Sequence, residues 1–167
     1  IDQVVQLFGM PQQVSADIRI LRDGGESDDA FEVTLHYAAI TVKVGSSPFE
    51  AGPTLRYALQ GTKGSYRKYH LDPQEDQLKA GMSFNDPEWS VAPAPQHGTL
   101  YLEDESKLVA TINGGYTTFY RQLATALITN NAEALPASGQ SVVAVIRLIE
   151  LARLASEQQQ TLSVECI

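Results

Sequence analysis

The residues of this chain with side chains able to act on a substrate are few: three histidines, one cysteine and a short acidic run. His70, Asp72, Glu75 and Asp76 are the densest group of metal-ligand types, but their spacing matches no recognised metal pattern, and solvated acids of a loop and helix start account for them. His36 falls on the polar side of an alternating segment, and His97 stands in a loop with no evident partner, so no nucleophile, base and orienting acid can be assembled. Gly61-Thr62-Lys63-Gly64-Ser65 carries the letters of a phosphate loop without the Gly-Lys-Ser/Thr order, and reads as a turn between strands. Cys166 has no second cysteine to pair with, which excludes an intramolecular disulfide and suits a reducing compartment. No catalytic residue and no metal site are therefore expected within the chain.

The elements that must position these residues are legible from periodicity. Ile1, Val4, Val5 and Phe8 form one stripe of a helix that Gly9 and Pro11 stop. No capping residue precedes Ile1, so the chain is expected to begin inside a helix and to be a piece of something longer. From Val14 the period becomes two, and strands are expected over 14–20, 31–37, 40–44 and 55–60, with a further one over 65–69. A short helix over 73–80 leads into a long loop over 83–97, a connection whose length points to a cover, with Phe84 and Trp89 in it. Strands over 98–102 and 107–112 follow. Two helices come next, one with a stripe of Tyr116, Phe119, Tyr120, Leu123, Leu127 and Ile128, the other with Val142, Val145, Ile146, Ile149 and Arg153. A last short strand is expected over 161–164. Clean alternation with short connections marks an antiparallel sheet with one wet face, so the fold class is α+β: an open, mostly antiparallel sheet with helices packed on one face.

Composition narrows the partners. At 167 residues the chain is close to one domain's worth and can bury a core without staples. Twelve Lys and Arg against 20 Asp and Glu give a net charge of -8, which repels phosphate backbones and anionic bilayers, so neither nucleic acid nor a membrane is an expected partner. The strongest apolar stretch, Val33 to Val42, is about half of what a membrane span needs. A cytoplasmic location follows as an expectation.

Taken together, Ile1-Asp2-Gln3, Leu7-Phe8-Gly9-Met10-Pro11, Asp28-Asp29-Ala30-Phe31, Gly61 to Ser65, Lys68-Tyr69-His70-Leu71-Asp72-Pro73-Gln74-Glu75 and Phe119-Tyr120-Arg121-Gln122-Leu123 resemble the C-terminal domain of the Gfo/Idh/MocA oxidoreductases. The resemblance runs from end to end. It implies a single C-terminal substrate and oligomerisation domain over residues 1–167, with an NAD(P)-binding Rossmann domain preceding it. Asp2 matches the last aspartate of the family's Asp-x-Gly-x-His-x-x-Asp motif, which places the family's catalytic lysine, histidine and first aspartate upstream of Ile1. NAD or NADP would then be bound mainly by that other domain, with none expected here, and this chain alone should be inactive.

The resemblance further implies a dehydrogenase acting on a sugar, inositol or related polyol hydroxyl, with this chain forming one wall of the pocket. Lys68, Tyr69 and His70 are the expected substrate-binding residues of that wall, because ammonium, phenol and imidazole all suit hydroxyls; exposed edge-strand residues are the plainer account. Phe84 and Trp89 could act as a lid that stacks on a sugar ring, or simply pack the loop. The polar sheet face, with Asp17, Arg19, Glu32, Thr34, His36, Thr41, Lys43 and Arg56, is the expected surface of a homodimer. Two other readings stand beside this one. One is a stand-alone carbohydrate-binding or dimerisation module using Tyr66, Tyr69 and Trp89; the other is a metal-dependent hydrolase using Asp72, Glu75 and Asp76.

Overall fold

A computed structural model describes residues 1–164 of the chain; Cys166 lies outside the described residues. In chain order the elements are α1 (Asp2–Phe8), β1 (Gln13–Arg19), β2 (Ala30–His36), β3 (Thr41–Ser46), β4 (Leu55–Gly61), β5 (Gly64–Tyr69), α2 (Gln74–Lys79), β6 (Gly98–Tyr101), β7 (Ser106–Val109), α3 (Tyr116–Ile128), α4 (Gly139–Gln158) and β8 (Leu162–Ser163). Single 3-10 turns occupy Ala94–Gln96 and Ala132–Ala134. The fold is α+β, and every strand pairing among the described residues is antiparallel. The strands form two four-stranded ladders, and the chain divides into two compact units: Ile1–Glu50 with the chain from Ala137 on, and Ala51–Pro136.

The first unit carries the ladder β3-β2-β1-β8. Its register sets Val14 opposite Leu35 and Ala16 opposite Val33, so that one face of the pleat is continuously apolar. That face meets α4 through Leu148 and Ala152, and the core of Val14, Val33, Leu35, Leu148 and Ala152 is completed by Val4 and Val5 of α1. The buried stripe of α4 is Val145, Leu148, Ala152 and Ala155, which corrects the expected stripe of Val142, Val145, Ile146, Ile149 and Arg153. Val142 and Ile146 are each 49% exposed. Two alanines define the true stripe because their small side chains let the helix axis approach the sheet, a property hydrophobicity alone does not register. α3 departs from expectation in the same way: its buried residue is Ala126, whereas Leu127 and Ile128 are exposed.

β8 pairs with β1 only at Gln13 and Val14. Farther along that edge, the amide of Ile18 donates to Ser156 Oγ of α4 at 2.9 Å, so a helix side chain replaces the missing strand partner. The connection from β1 to β2 is fixed by Asp29, whose side chain is 5% exposed and accepts from the Leu21 amide (2.7 Å), the Arg22 amide (3.2 Å) and Arg22 Nε (2.9 Å). Its neighbour Asp28 pairs with Arg153 of α4.

The second unit carries the ladder β4-β5-β6-β7, a meander in which each strand pairs with its sequence neighbour. Gly61 opposite Gly64 closes the first hairpin around Thr62 and Lys63.

The hydrogen bond from the Arg22 side chain, and next the one from the Leu21 amide, hold the Asp29 carboxyl below its ordinary value. A lowered carboxylate value contributes stability that is complete above the unfolded value and is lost as pH falls through the folded one, so the loss is confined below about pH 4. Thermal melts between about pH 5 and pH 3 should show a falling midpoint in the native chain and a flatter profile in Asp29→Asn.

Candidate ligand site

The site is built at the end of β5 in the second unit. Along this strand Tyr66 and Lys68 are partly buried, while Arg67 and Tyr69 alternate to the exposed side. The pleat therefore separates two of the three expected wall residues, Lys68 and Tyr69, onto opposite faces. The Tyr66 ring occupies the space above Gly98: a Cβ there would lie 1.9 Å from the phenol oxygen. Lys68 donates from Nζ to the Gln96 carbonyl oxygen and to Thr111 Oγ1 (2.8 Å), and Thr111 Oγ1 donates in turn to the Gln96 carbonyl oxygen (3.3 Å). Burial lowers the Lys68 ammonium value, and the charge of Asp72 partly offsets this.

His70 ends the strand in the left-handed region, φ 66°, and its amide donates to the Thr54 carbonyl oxygen at 2.9 Å. A histidine tolerates this conformation better than a β-branched residue, and it turns the chain sharply into Leu71 and Asp72. Asp72 Oδ1 accepts from the Gln74 amide (2.9 Å) and from Gln74 Nε2 (2.8 Å). Gln74 Oε1 accepts from the Tyr116 amide at 3.0 Å, which fastens the first residue of α3 to the first of α2.

Beside this knot lies an open cleft of about 720 Å³. Gly52 to Thr54, His70, Leu71 and Pro73 form one side; Asp76, Gln77 and Ala80 of α2, with Met82, Val91, Pro93 and Gln96, form the other. Gln77 binds the long loop to α2 with both ends of its amide, accepting from the Ser90 amide (2.8 Å) and donating to the Glu88 carbonyl oxygen (3.1 Å). Ser90 is itself left-handed, φ 62°, and 7% exposed. Gln96 Oε1 is buried without a hydrogen-bond partner among the described residues.

Of the residues singled out in the sequence, His70 lines the cleft, and Lys68 stands behind it, holding Gln96. Trp89 is 8% exposed with the half-exposed Phe84 edge-on at 4.8 Å, and neither lines the cleft. Asp2 is exposed in the first turn of α1. His36 Nε2 lies 3.0 Å from Ser15 Oγ, and His97 Nε2 lies 3.2 Å from the Ala92 carbonyl oxygen. Glu75 pairs with Lys79, and no group of three or more His, Cys, Asp or Glu that could hold a metal ion gathers among the described residues, Asp72, Glu75 and Asp76 included. Sequence reasoning assigns no role to Gln77 or Gln96, and none to Gln74 beyond its place in the Lys68–Glu75 run, because an uncharged amide has neither a charge pattern nor a hydrophobic period to mark it. The arrangement can bind and orient a ligand through hydrogen bonds against apolar walls.

The sequence profile described as the oxidoreductase family, C-terminal alpha/beta domain, matches residues 1–165. A scyllo-inositol 2-dehydrogenase (NADP(+)), IolW of Bacillus subtilis, is 34% identical over 99% of this chain and 47% of its own length. The uncharacterized oxidoreductase YdgJ of Escherichia coli is 32% identical over 97% of this chain and 47% of its own length. This chain thus spans about half the length of the curated relatives it matches. Among solved structures, YvaA of Bacillus subtilis superposes with a TM-score of 0.90 at 31% identity, covering 98% of this chain and 48% of that one. An oxidoreductase from Bacillus cereus gives 0.84 at 26% identity, covering 99% and 49%.

Because a Cβ at position 98 would enter the Tyr66 ring, Gly98→Ala should destabilise the chain by about 1–3 kcal/mol in denaturant melts. Combined with Tyr66→Ala, the two costs should fall clearly short of additive, as expected of residues competing for one space.

Proposed function

The chain belongs to the Gfo/Idh/MocA oxidoreductases as their C-terminal domain, and from that premise we propose that the intact protein is an NAD(P)-dependent dehydrogenase acting at a hydroxyl-bearing carbon of an inositol, sugar or related polyol. The observation that carries this reading is the end-to-end likeness to a relative named as an inositol dehydrogenase. This chain serves as the substrate-binding and oligomerisation domain. His70 and Lys68 contribute to the substrate wall, His70 from the cleft and Lys68 by holding Gln96 beside it. Tyr69, exposed on the other face of β5 and outside the cleft's lining, would meet substrate only from beyond this cleft, and the loop bearing Phe84 and Trp89 forms the cover. Asp2 is the last aspartate of the family's junction motif.

The cofactor belongs elsewhere in this reading. The cleft does not suit a dinucleotide: no lysine or arginine lines it to meet a diphosphate. The helix beside it is six residues long and opens with Glu75 and Asp76, whose charge opposes an anion. Both observations argue against a dinucleotide in this cleft; a nucleotide site outside this chain and the inactivity of the chain alone are parts of the same proposal.

Assembly as a homodimer through the polar face of the first unit is the second part of the reading. That face carries Asp17 with Arg19, Glu32 with Lys43 and Ser15 with His36, already paired within the sheet. Thr34 and Thr41 lie among them, whereas Arg56 belongs to β4 of the other unit. A two-fold contact there would be polar and hydrated. Among the described residues no helix is long and apolar enough to cross a membrane, consistent with the proposed cytoplasmic location.

The intact protein should reduce NADP+ or NAD+ in the presence of scyllo-inositol or another polyol, and the 167-residue chain alone should not. Failure of the intact protein across inositols, sugars and both nucleotides would sink the reading. His70→Asn keeps a residue that accepts the left-handed backbone while removing the imidazole; it should raise KM about tenfold with kcat little changed. Sedimentation at high micromolar concentration should return the mass of a dimer.

A further inference from the structure

The segment that leads into α3 contains the chain's one Asn-Gly step, Asn113-Gly114. The other asparagines, at 85, 130 and 131, precede Asp86, Asn131 and Ala132. Residues 110–115 belong to no helix or strand, and Asn113 is exposed. Neither the Asn113 side chain nor the Gly114 N–H has a hydrogen-bond partner among the described residues. The side-chain amide carbon and the main-chain nitrogen that follows it are therefore both uncommitted. Lacking a Cβ, a glycine leaves its nitrogen open and reaches the backbone angles that closure of a ring between these two atoms needs.

The fold also holds position 114 to glycine. A Cβ there would lie 2.1 Å from Gln74 Nε2 and 2.2 Å from Asp72 Oδ2. Gln74 has no room to step aside, since it is 2% exposed and is bonded both to Asp72 and to the Tyr116 amide. The contact that fixes the start of α3 thus demands the very residue that makes Asn113 reactive. The step lies between two anchors as well. Thr111 Oγ1 accepts from Lys68 Nζ at 2.8 Å, the Tyr116 amide donates to Gln74 Oε1 at 3.0 Å, and residues 112–115 bridge them.

We infer that Asn113-Gly114 is a site of spontaneous deamidation, and that its isoaspartyl product frees Tyr116 from Gln74. Base removes the Gly114 amide proton, and the nitrogen attacks Asn113 Cγ. The N–Cγ bond forms, the Cγ–Nδ2 bond breaks and ammonia leaves with a proton, giving a succinimide. Water then opens the ring. Cleavage of the bond to Cγ yields aspartate; cleavage of the bond to the main-chain carbonyl carbon yields isoaspartate, whose main chain runs through Cβ and Cγ and is one atom longer. The net change is uptake of water and loss of ammonia, with no oxidant or enzyme required. Either product places a carboxylate next to the glycine that Asp72 Oδ2 faces, a like-charge contact. The isoaspartate in addition lengthens a bridge pinned at both ends, so an anchor must yield. Release of Tyr116 leaves the buried Gln74 Oε1 without its donor.

The test is to hold the intact protein in warm, mildly alkaline buffer and to follow each asparagine by peptide mass mapping, with enzymatic methylation to count isoaspartate. Isoaspartate should accumulate at 113 about tenfold faster than at 85, 130 or 131, because only Gly114 leaves the nitrogen unhindered. The rate should climb with pH, since the attacking nitrogen must first lose its proton. Asn113→Gln, whose longer side chain closes a ring far more slowly, should abolish the product. Hydrogen exchange at the Tyr116 amide should quicken about tenfold in aged parent protein and stay slow in equally aged Asn113→Gln. Fresh Asn113→Asp, which has the charge without the longer main chain, should resemble the fresh parent. Isoaspartate missing from 113, or no faster there than at 85, would overturn the site. Unchanged Tyr116 exchange in fully converted protein, or exchange equally fast in fresh Asn113→Asp, would overturn the release of the joint by the lengthened chain.

Discussion

The buried amide of Gln74 is the joint on which the second unit depends. At 2% exposure it has no water to turn to, so each of its polar atoms must be answered by protein. Asp72 answers the nitrogen and the Tyr116 amide donates to the oxygen, which ties together chain segments forty-two residues apart. Gly114 makes the approach possible, since a Cβ there would lie 2.1 Å from Gln74 Nε2 and 2.2 Å from Asp72 Oδ2. The end of β5, the start of α2 and the start of α3 are consequently set by one polar contact. His70, between Lys68 and Asp72, inherits its place from it. Removing either partner would leave a buried donor or acceptor unmade, which costs more than the bond itself contributes.

In the first unit the governing contact is apolar. Leu148 and Ala152 of α4 seat on Val14, Val33 and Leu35, and the helix supplies more than hydrophobic cover. Ser156 meets the Ile18 amide that β8 does not reach, and Arg153 draws in Asp28 beside the Asp29 lock. The same helix face thus buries the core and satisfies backbone at the sheet's edge. Beyond the two residues that β8 covers, the Ile18 amide at the ladder's edge is thus still satisfied.

Most of the scaffold was legible because it rests on period. The alternation at Val14, Ala16 and Ile18, and at Val33 and Leu35, announced strands whose observed register sets the same residues opposite each other. The helix over 74–79 and the long loop after it were likewise readable from their proline and glycine punctuation. What escaped was anything depending on size or on uncharged hydrogen bonding. Ala152 and Ala155 are buried because they are small, and the apolar scale favoured Val142 and Ile146 in their place. At the site, Lys68 and His70 stood out as chemistry-bearing side chains. The amides of Gln74, Gln77 and Gln96, which do the positioning, look in sequence like ordinary surface residues. Proximity in sequence also misled, since Lys68 and Tyr69 are adjacent in the chain and opposed across the pleat.

The two units differ in how they are threaded. Ala51–Pro136 is one uninterrupted stretch whose strands pair with their sequence neighbours, so its ladder needs no residue beyond β7 to form. The other unit is split by that stretch. Val14 and Leu35 meet Leu148 only after more than a hundred further residues exist, and the Val14 to Leu162 pairing closes later still. Until then its apolar sheet face has no α4 to cover it. In synthesis the apolar residues of β1 and β2 therefore wait for α4 throughout the making of the second unit, an interval in which exposed strand surface favours misassembly.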